Sequence, residues 1–364
     1  MATTVTNIFN LNQQALREFF TGIGERPYRA VQVMKWMYYQ GVTDVEKMTD
    51  LGKTLRQTLA QTACFTTPPI TSELVSADGT RKWLMQVDER NSVESVFIPE
   101  PDRGTLCVSS QVGCPLNCSF CSTGKQGFSR NLGVAEIIGQ LWQANHRLGY
   151  FDGRNRVITN VVMMGMGEPL LNFDNVTAAM DIMKDDLGFG LSYKRVTLST
   201  AGVVPAIYRL ADTTRVSLAV SLHAPVDELR DILVPINRHY PLSELMAACL
   251  HYARKNSGDS ITFEYVMLSG INDGAAEARQ LAKLINGIPA KVNLIPFNPF
   301  PHSGYTRSSR ETIDRFRDIL VNSGIITITR KTRGDDIDAA CGQLVGRVVP
   351  RAARIQNQLM EERS

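Results

Sequence analysis

The sequence predicts an α/β protein: a partial (β/α)6 barrel of TIM type, preceded by a small helical domain and a short run of antiparallel strands. Three observations carry that expectation. From about residue 105 to 330 an apolar strand-like run followed by a helical stretch recurs six times, in TLCVSS, NVVMMGMGEP, RVTLSTAG, VSLAVSLHAP, ITFEYVMLSG and KVNLIPFNPF. Short apolar runs separated by crossover helices call for a parallel sheet buried on both faces. Polar and glycine-rich turns follow these strands, GMGEP at 165–169, STAG at 199–202, SLH at 221–223 and FNPF at 297–300, and barrel active sites form on that rim. A doubly wound open sheet is the alternative.

In chain order, residues 1–70 read as a helical accessory domain, with helical apolar spacing in QALREFFTGIG and YRAVQVMKWMYYQGV and turns at Gly22, Gly24, Pro27 and Gly41. Residues 71–104 read as short antiparallel strands. A hairpin signal stands at Asp78-Gly79, and the alternation in SVESVFIPE puts Glu94 on one strand face with Val96 and Ile98. The barrel is expected over 105–335, and 336–364 form a C-terminal segment.

A chain of 364 residues, 43% hydrophobic and 21% charged, is long enough for a large core. The N-terminal MATTVTNIFNLNQQ has no basic start followed by an apolar run, and no stretch approaches the ~18 apolar residues of a membrane span. A cytoplasmic protein without membrane contact is the expectation. Seven unevenly spaced cysteines fit functional thiols in a reducing compartment better than a disulfide framework. Cys64 and Cys249, each alone, read as core residues. The net charge of +3 is compatible with nucleic acid and does not establish it.

The densest chemical signal is VGCPLNCSFCSTGKQGF, residues 112–128, with Cys114, Cys118 and Cys121 in C-x3-C-x2-C spacing just after the first barrel strand. A closed zinc site with Cys107 or His146 as fourth ligand is one reading. Structural zinc sites come as paired C-x2-C knuckles, however, and no second pair exists here. Three thiolates around a four-iron cluster leave one iron free to bind a small molecule, which suits a loop at a barrel mouth.

This spacing and placement resemble the radical S-adenosylmethionine (SAM) enzymes. With VESVFIPE, MMGMGEPLLN, LSTAG, SLAVSLHAP, NLIPFNPF and DIDAACGQL, the chain resembles, from about residue 10 to 350, the RlmN family of dual-specificity RNA adenine methyltransferases. The resemblance implies one 4Fe-4S cluster on Cys114, Cys118 and Cys121, and SAM contacts from Gly167, Glu168, Ser199, Ser221, Leu222, His223 and Asn298. Read alone, Gly165 and Gly167 are turn residues and His223 is a hydrogen-bonded structural histidine.

The resemblance further implies methylation at adenine carbon 2 of A2503 in 23S rRNA and A37 in tRNAs, with two SAM per turnover. Carbon 2 is electron-poor and cannot act as the nucleophile of ordinary SAM methylation. In such enzymes a cysteine is methylated first, a deoxyadenosyl radical activates its S-methyl group, and a second thiolate releases the product by forming a disulfide. Cys341 in DAACGQL matches the methyl carrier, Cys107 in TLCVSS the resolving thiol, and Glu94 the base. Read alone, the two cysteines are small buried hydrophobes. Methylation at carbon 8 is the related alternative, and a zinc-stabilised RNA-binding module is the alternative of another class.

Carbon 2 lies on the pairing edge, so the target must be unpaired or flipped out. Candidate RNA contacts are Arg26, Arg29, Lys35, Trp36, Tyr38, Lys125, Arg130, Arg330, Lys331, Arg333, Arg347, Arg351 and Arg354. The remaining expected partner is an electron donor such as flavodoxin, and the chain is expected to act as a monomer.

Overall fold

The computed structural model describes residues 5–152, 156–301 and 303–349; Arg351 and Arg354 lie outside the described residues. Three N-terminal helices come first, α1 (Gln13–Gly22), α2 (Arg29–Tyr38) and α3 (Lys53–Thr62). Asn12 caps α1, its side chain accepting from the Ala15 amide at 3.0 Å. Helix α2 turns Ala30, Val33, Met34, Met37 and Tyr38 inward, a stripe at i, i+3 and i+4 spacing. Tyr38 is therefore a core residue, 1% exposed, which corrects its expected place among the RNA contacts. The Trp36 indole donates to Asp50 at 2.6 Å. Phe9 meets Tyr38 and Trp142 edge-on at 6.0 and 5.8 Å, and the Trp142 indole donates to the Met37 carbonyl at 2.9 Å. The N-terminal helices thus share one hydrophobic core with the rest of the chain.

Among the described residues ten strands form one sheet: β1 (Ile70–Val75), β2 (Arg81–Gln86), β3 (Ser92–Glu100), β4 (Arg103–Cys107), β5 (Asn160–Met163), β6 (Val196–Thr200), β7 (Ser217–Ser221), β8 (Ile261–Met267), β9 (Ala290–Pro296) and β10 (Ile326–Thr329). Every strand pairs with its neighbour in sequence. Pairing is antiparallel from β1 to β4 and parallel from β4 to β10. A doubly wound sheet reverses strand order at a switch point; this order never reverses, and the parallel strands make a partial barrel. The intervening helices are α4 (Val134–Arg147), α5 (Phe173–Lys184), α6 (Val204–Thr213), α7 (Asp227–Leu233), α8 (Leu242–Lys255), α9 (Ala275–Leu284) and α10 (Arg310–Asn322).

Two features differ from the sequence expectation. A seventh parallel strand, β10, follows the six predicted ones; it is four residues long, and Ile326 and Ile328 are exposed on this edge, so it lacks the apolar run of a buried strand. Strand β3 alternates in sequence, yet Ser92 to Phe97 are all buried. One face is covered by α4, where Ser95 donates to Gln140 Oε1 at 2.6 Å. Among the described residues no helix is long and apolar enough to cross a membrane.

The parallel strand ends are tied together from within by Arg230 on α7, which is fully buried. Its Nε donates to the Leu222 carbonyl (3.0 Å), Nη2 to the carbonyls of Ala201 (2.6 Å) and Ser221 (3.1 Å), and Nη1 to Asn237 Oδ1 (2.8 Å). Burial lowers its pKa to about 10, so it stays a cation at neutral pH. Replacing a buried, fully bonded guanidinium leaves several carbonyls without donors. Arg230→Met is expected to lower the unfolding free energy by about 3 kcal/mol or more, read as a fall in the urea midpoint, with Arg230→Lys intermediate; an unchanged midpoint in Arg230→Met would contradict this account.

Candidate active site

An open cavity with about 940 Å³ of empty space, mouth included, lies at the C-terminal ends of the parallel strands. The cysteine loop forms one wall. It is launched by a short antiparallel hairpin pairing Gln111–Gly113 with Phe128–Asn131. Gly113 has φ +74°, and a Cβ there would stand 1.9 Å from the Gly127 carbonyl oxygen, so only glycine allows the two arms to approach. The Ser119 amide donates to the Leu233 carbonyl at 3.1 Å, and the Tyr305 hydroxyl donates to Ser119 Oγ at 2.7 Å. These bonds anchor the loop to α7 and to the segment after β9.

All three loop thiols, Cys114, Cys118 and Cys121, line the cavity. Burial pushes the Cys114 thiol up to about 12 and also raises Cys118 and Cys121; the Cys121 charge adds to the first two, and the Cys341 charge to Cys121. Three half-buried soft donors that resist ionisation suit a multiply charged metal group, which supplies the missing positive charge. The donor set therefore fits an iron–sulfur cluster. The fourth ligands considered for zinc sit elsewhere: His146 packs against Trp142 and Phe151, and Cys107 ends β4. Among the described residues no group of three His, Cys, Asp or Glu side chains is arranged to hold a single metal ion.

The rim residues expected to bind SAM come together around the same space, with one exception. Gly167, Glu168, Ser199, Ser221, His223 and Asn298 line the cavity. Gly167 has φ +99°, and a Cβ would meet the Gln111 side chain at 2.5 Å. Glu168 is buried, with Oε1 accepting from the Leu170 amide at 3.0 Å and Oε2 from the Ala201 amide at 2.7 Å. Burial raises its pKa to about 7 against those hydrogen bonds. His223 Nδ1 accepts from the Val266 amide at 3.0 Å, which leaves the proton of the neutral ring on Nε2; burial and then Arg230 lower its pKa to about 3. Leu222 is buried behind the wall and contributes backbone groups alone, donating to Glu264 O and accepting from Arg230.

Asn298 accepts from Arg307 Nη2 at 2.9 Å and donates to the Cys341 carbonyl at 3.3 Å. It thereby holds the C-terminal segment, which crosses the mouth as a strap. The strap is bonded at Gly342 O to the Ser122 amide (2.8 Å), at Leu344 O to Thr123 Oγ1 (2.6 Å) and by an isolated bridge between Arg347 and Ser92. Cys341 is exposed and lines the cavity. It is close enough to Cys107 and Arg330 to act on both electrostatically. Burial, then the Cys341 charge, push the Cys107 thiol up to about 12, while Arg330 draws it down. Arg330, expected as an RNA contact, lines the cavity.

Glu94 is placed under the strap and does not line the cavity. Its Oε1 pairs with Lys82 Nζ at 3.3 Å, diagonally across β2 and β3, and its Oε2 accepts from the Val345 amide at 3.0 Å. Arg130 is likewise engaged within the fold, forked onto Glu136 (2.7 and 2.8 Å) and bonded to Asp88 at 3.0 Å. Gln111, whose Oε1 accepts from the Glu168 amide at 2.9 Å, Glu264, which lines the cavity, and Arg230 and Lys82 each read in sequence as a solvated polar residue until the fold surrounds it.

Residues 6–65 match the family described as ribosomal RNA large subunit methyltransferase N-terminal domain, and residues 108–282 match the radical SAM superfamily. The crystal structure of a radical SAM methyltransferase from Sphaerobacter thermophilus is 44% identical, with a TM-score of 0.87 over 93% of this chain and 99% of that one. Streptococcus suis SuiB bound to S-adenosylmethionine is 11% identical, with a TM-score of 0.46 over 65% of this chain and 55% of that one. With the N-terminal and radical SAM families both matched and close identity over nearly its whole length, this chain belongs to the RlmN family of radical SAM methyltransferases.

Proposed function

We propose that the protein methylates carbon 2 of an unpaired adenosine in RNA, in 23S rRNA and in tRNA, using Cys341 as methyl carrier and Cys107 as resolving thiol. The observation that carries this reading is the position of Cys341: a strap places it in the wall of the same cavity as the three loop cysteines, beside Cys107 and Arg330. Cys114, Cys118 and Cys121 are the residues that would hold a 4Fe-4S cluster. When bound, the cluster supplies the single electron that cleaves SAM and so generates the radical chemistry needed at an electron-poor carbon.

The chain's own residues supply the rest. The Cys341 thiolate attacks the methyl carbon of a first SAM; the new sulfur–carbon bond makes Cys341 a thioether, and the sulfonium's bond to that carbon breaks to release S-adenosylhomocysteine. Once that carbon has joined the base, Cys341 and the RNA are covalently linked. Cys107 then attacks the Cys341 sulfur; the sulfur–carbon bond breaks with its electron pair passing to the carbon, which takes up a proton, and a disulfide remains. Cys107 must lose its proton first, and Arg330 is the cation that favours its thiolate. Glu94 can serve as the base for the carbon 2 proton once the Val345 amide has released it. Two SAM are used per turnover, one for the carrier and one for the radical. The rim residues Gly167, Glu168, Ser199, Ser221, His223 and Asn298 hold SAM, with Leu222 acting through its backbone.

For RNA, Arg26, Lys35, Lys331 and Arg347 are exposed, whereas Arg29 is shared with Glu25 and Gln32, and Arg333 with Asp78. Lys125 stands over the Phe300 ring at 5.2 Å. The proposed setting is the reducing cytoplasm, with a small reductant such as flavodoxin as electron donor and the chain acting as a monomer.

Single replacement of Cys114, Cys118 or Cys121 by alanine is expected to abolish cluster retention, measured as iron content and as loss of the broad absorption near ~400 nm of 4Fe-4S proteins. Full iron loading in any of them would remove the ligand assignment. The other two thiols should fail differently. Cys341→Ala is expected to give inactive protein with no RNA adduct. Cys107→Ala is expected to accumulate a nuclease-sensitive, upshifted band on a denaturing gel, and the double replacement to lose it. Normal turnover by Cys107→Ala would exclude the two-thiol route.

A further inference from the structure

One buried carboxylate on the cavity wall has no part in the chemistry above. Glu264 stands in the middle of β8, in register with Ser221 on β7 and Asn293 on β9. It is 4% exposed and lines the cavity. Its Oε1 accepts from Asn293 Nδ2 at 2.9 Å. Among the described residues its Oε2 has no hydrogen-bond partner. The ion pair from Oε2 to Arg330 Nη1 spans 3.7 Å, close enough for Coulomb attraction and too long for a hydrogen bond. A buried carboxylate oxygen without a donor is costly, and the open cavity is where a donor can arrive.

The two charges side by side offer a ligand one acceptor and one donor. Adenine presents the complement, an exocyclic amino group next to a ring nitrogen that accepts. Guanine and hypoxanthine carry a carbonyl oxygen in place of that amino group, and a carboxylate repels it. Building on the function proposed above, we infer that Glu264 is a specificity-determining residue that accepts a hydrogen bond from the amino group of an adenine in the cavity, with Arg330 donating to the neighbouring ring nitrogen. Both the target base and the cofactor carry an adenine. The target is favoured because Arg330 lines the same cavity as Cys341 and lies within electrostatic reach of it and of Cys107, the thiols near which the target must lie.

The test compares wild type with Glu264→Gln in the reconstituted holoenzyme. Because Asn293 Nδ2 holds the oxygen at the Oε1 position, the new amide turns its NH2 toward the cavity, disfavouring an amino group and accommodating a carbonyl. One arm measures kcat/KM for RNA with adenosine or inosine at the target position. The other measures, by calorimetry, binding of S-adenosylhomocysteine against S-inosylhomocysteine. Wild type is expected to prefer the adenine form by about 10- to 100-fold in at least one arm, the range expected for a hydrogen bond to a charged group, and Glu264→Gln to lose at least about ten-fold of that preference. Comparing ratios between the two proteins cancels the intrinsic difference in reactivity between the bases. Collapse in the RNA arm assigns the amino group to the target base; collapse in the binding arm alone assigns it to the cofactor. Equal preferences in wild type and variant, or no preference in wild type in either arm, overturn the inference. Should the amide variant not fold, Glu264→Met, of similar volume and without an acceptor, gives the same reading. Absence of RNA methylation by wild type would count against the proposed function, while the binding arm still reports on Glu264.

Discussion

A parallel sheet that stops at a ligand cavity leaves its last carbonyls pointing at neither a partner strand nor open water, and that constraint shapes this rim. Arg230 meets it with one guanidinium, bonded to Leu222, Ser221 and Ala201. Those carbonyls belong to the two turns that carry Ser199, Ser221 and His223, so their spacing is set by a rigid planar fork. The same cation lies near Cys118 and favours its thiolate. Through the Ser119–Leu233 bond the cysteine loop also leans on α7, the helix that delivers Arg230. Rim geometry and thiol electrostatics thus share one support.

The strap is the second organising element, and it is built differently. It adds no strand to the sheet beyond a single bridge; polar contacts hold it to several elements at once. Asp336 accepts from Ser76 Oγ at 2.5 Å and from the Ala77 amide at 3.1 Å, and Lys82 Nζ donates to the Asp338 carbonyl at 3.2 Å. Gln343 donates to the Pro299 carbonyl at 3.1 Å. Individual hydrogen bonds of this kind contribute about 1 kcal/mol each, and the buried Ala339, Ala340 and Leu344 add apolar contact to them. The barrel wall differs in being joined by continuous ladders between its strands.

The sequence shows most clearly what is local. Three cysteines in eight positions, and glycines and serines just past apolar runs, declare a cluster loop and a rim without any knowledge of which elements touch. The barrel is legible for the same reason, since each strand and helix carries its own periodicity. What could not be read is what depends on juxtaposition. Arg230 in DELRDIL, Arg130 in the loop and Arg330 after a short strand look alike as letters; the fold makes the first a buried tie, the second a partner of Glu136 and the third a cavity wall. The chemistry of Tyr38 suggests RNA, while its spacing with Met34 and Ala30 marks it as core. Strand β10 escaped notice because an exposed edge strand lacks the unbroken apolar run of the strands beside it.

The strictly sequential strand order bears on how the protein is made. Each strand finds its partner in the segment just synthesised, so the barrel can assemble progressively from its N-terminal side, with modest loop closure at every step. The strap is the opposite case: its contacts join residues 260 and 256 positions apart, as between Ser76 and Asp336 or Lys82 and Asp338. Such closures come late. Cys341 and Gly342 are accordingly the last of the cavity-lining residues to be synthesised, and they meet a wall whose other members all precede them in the chain.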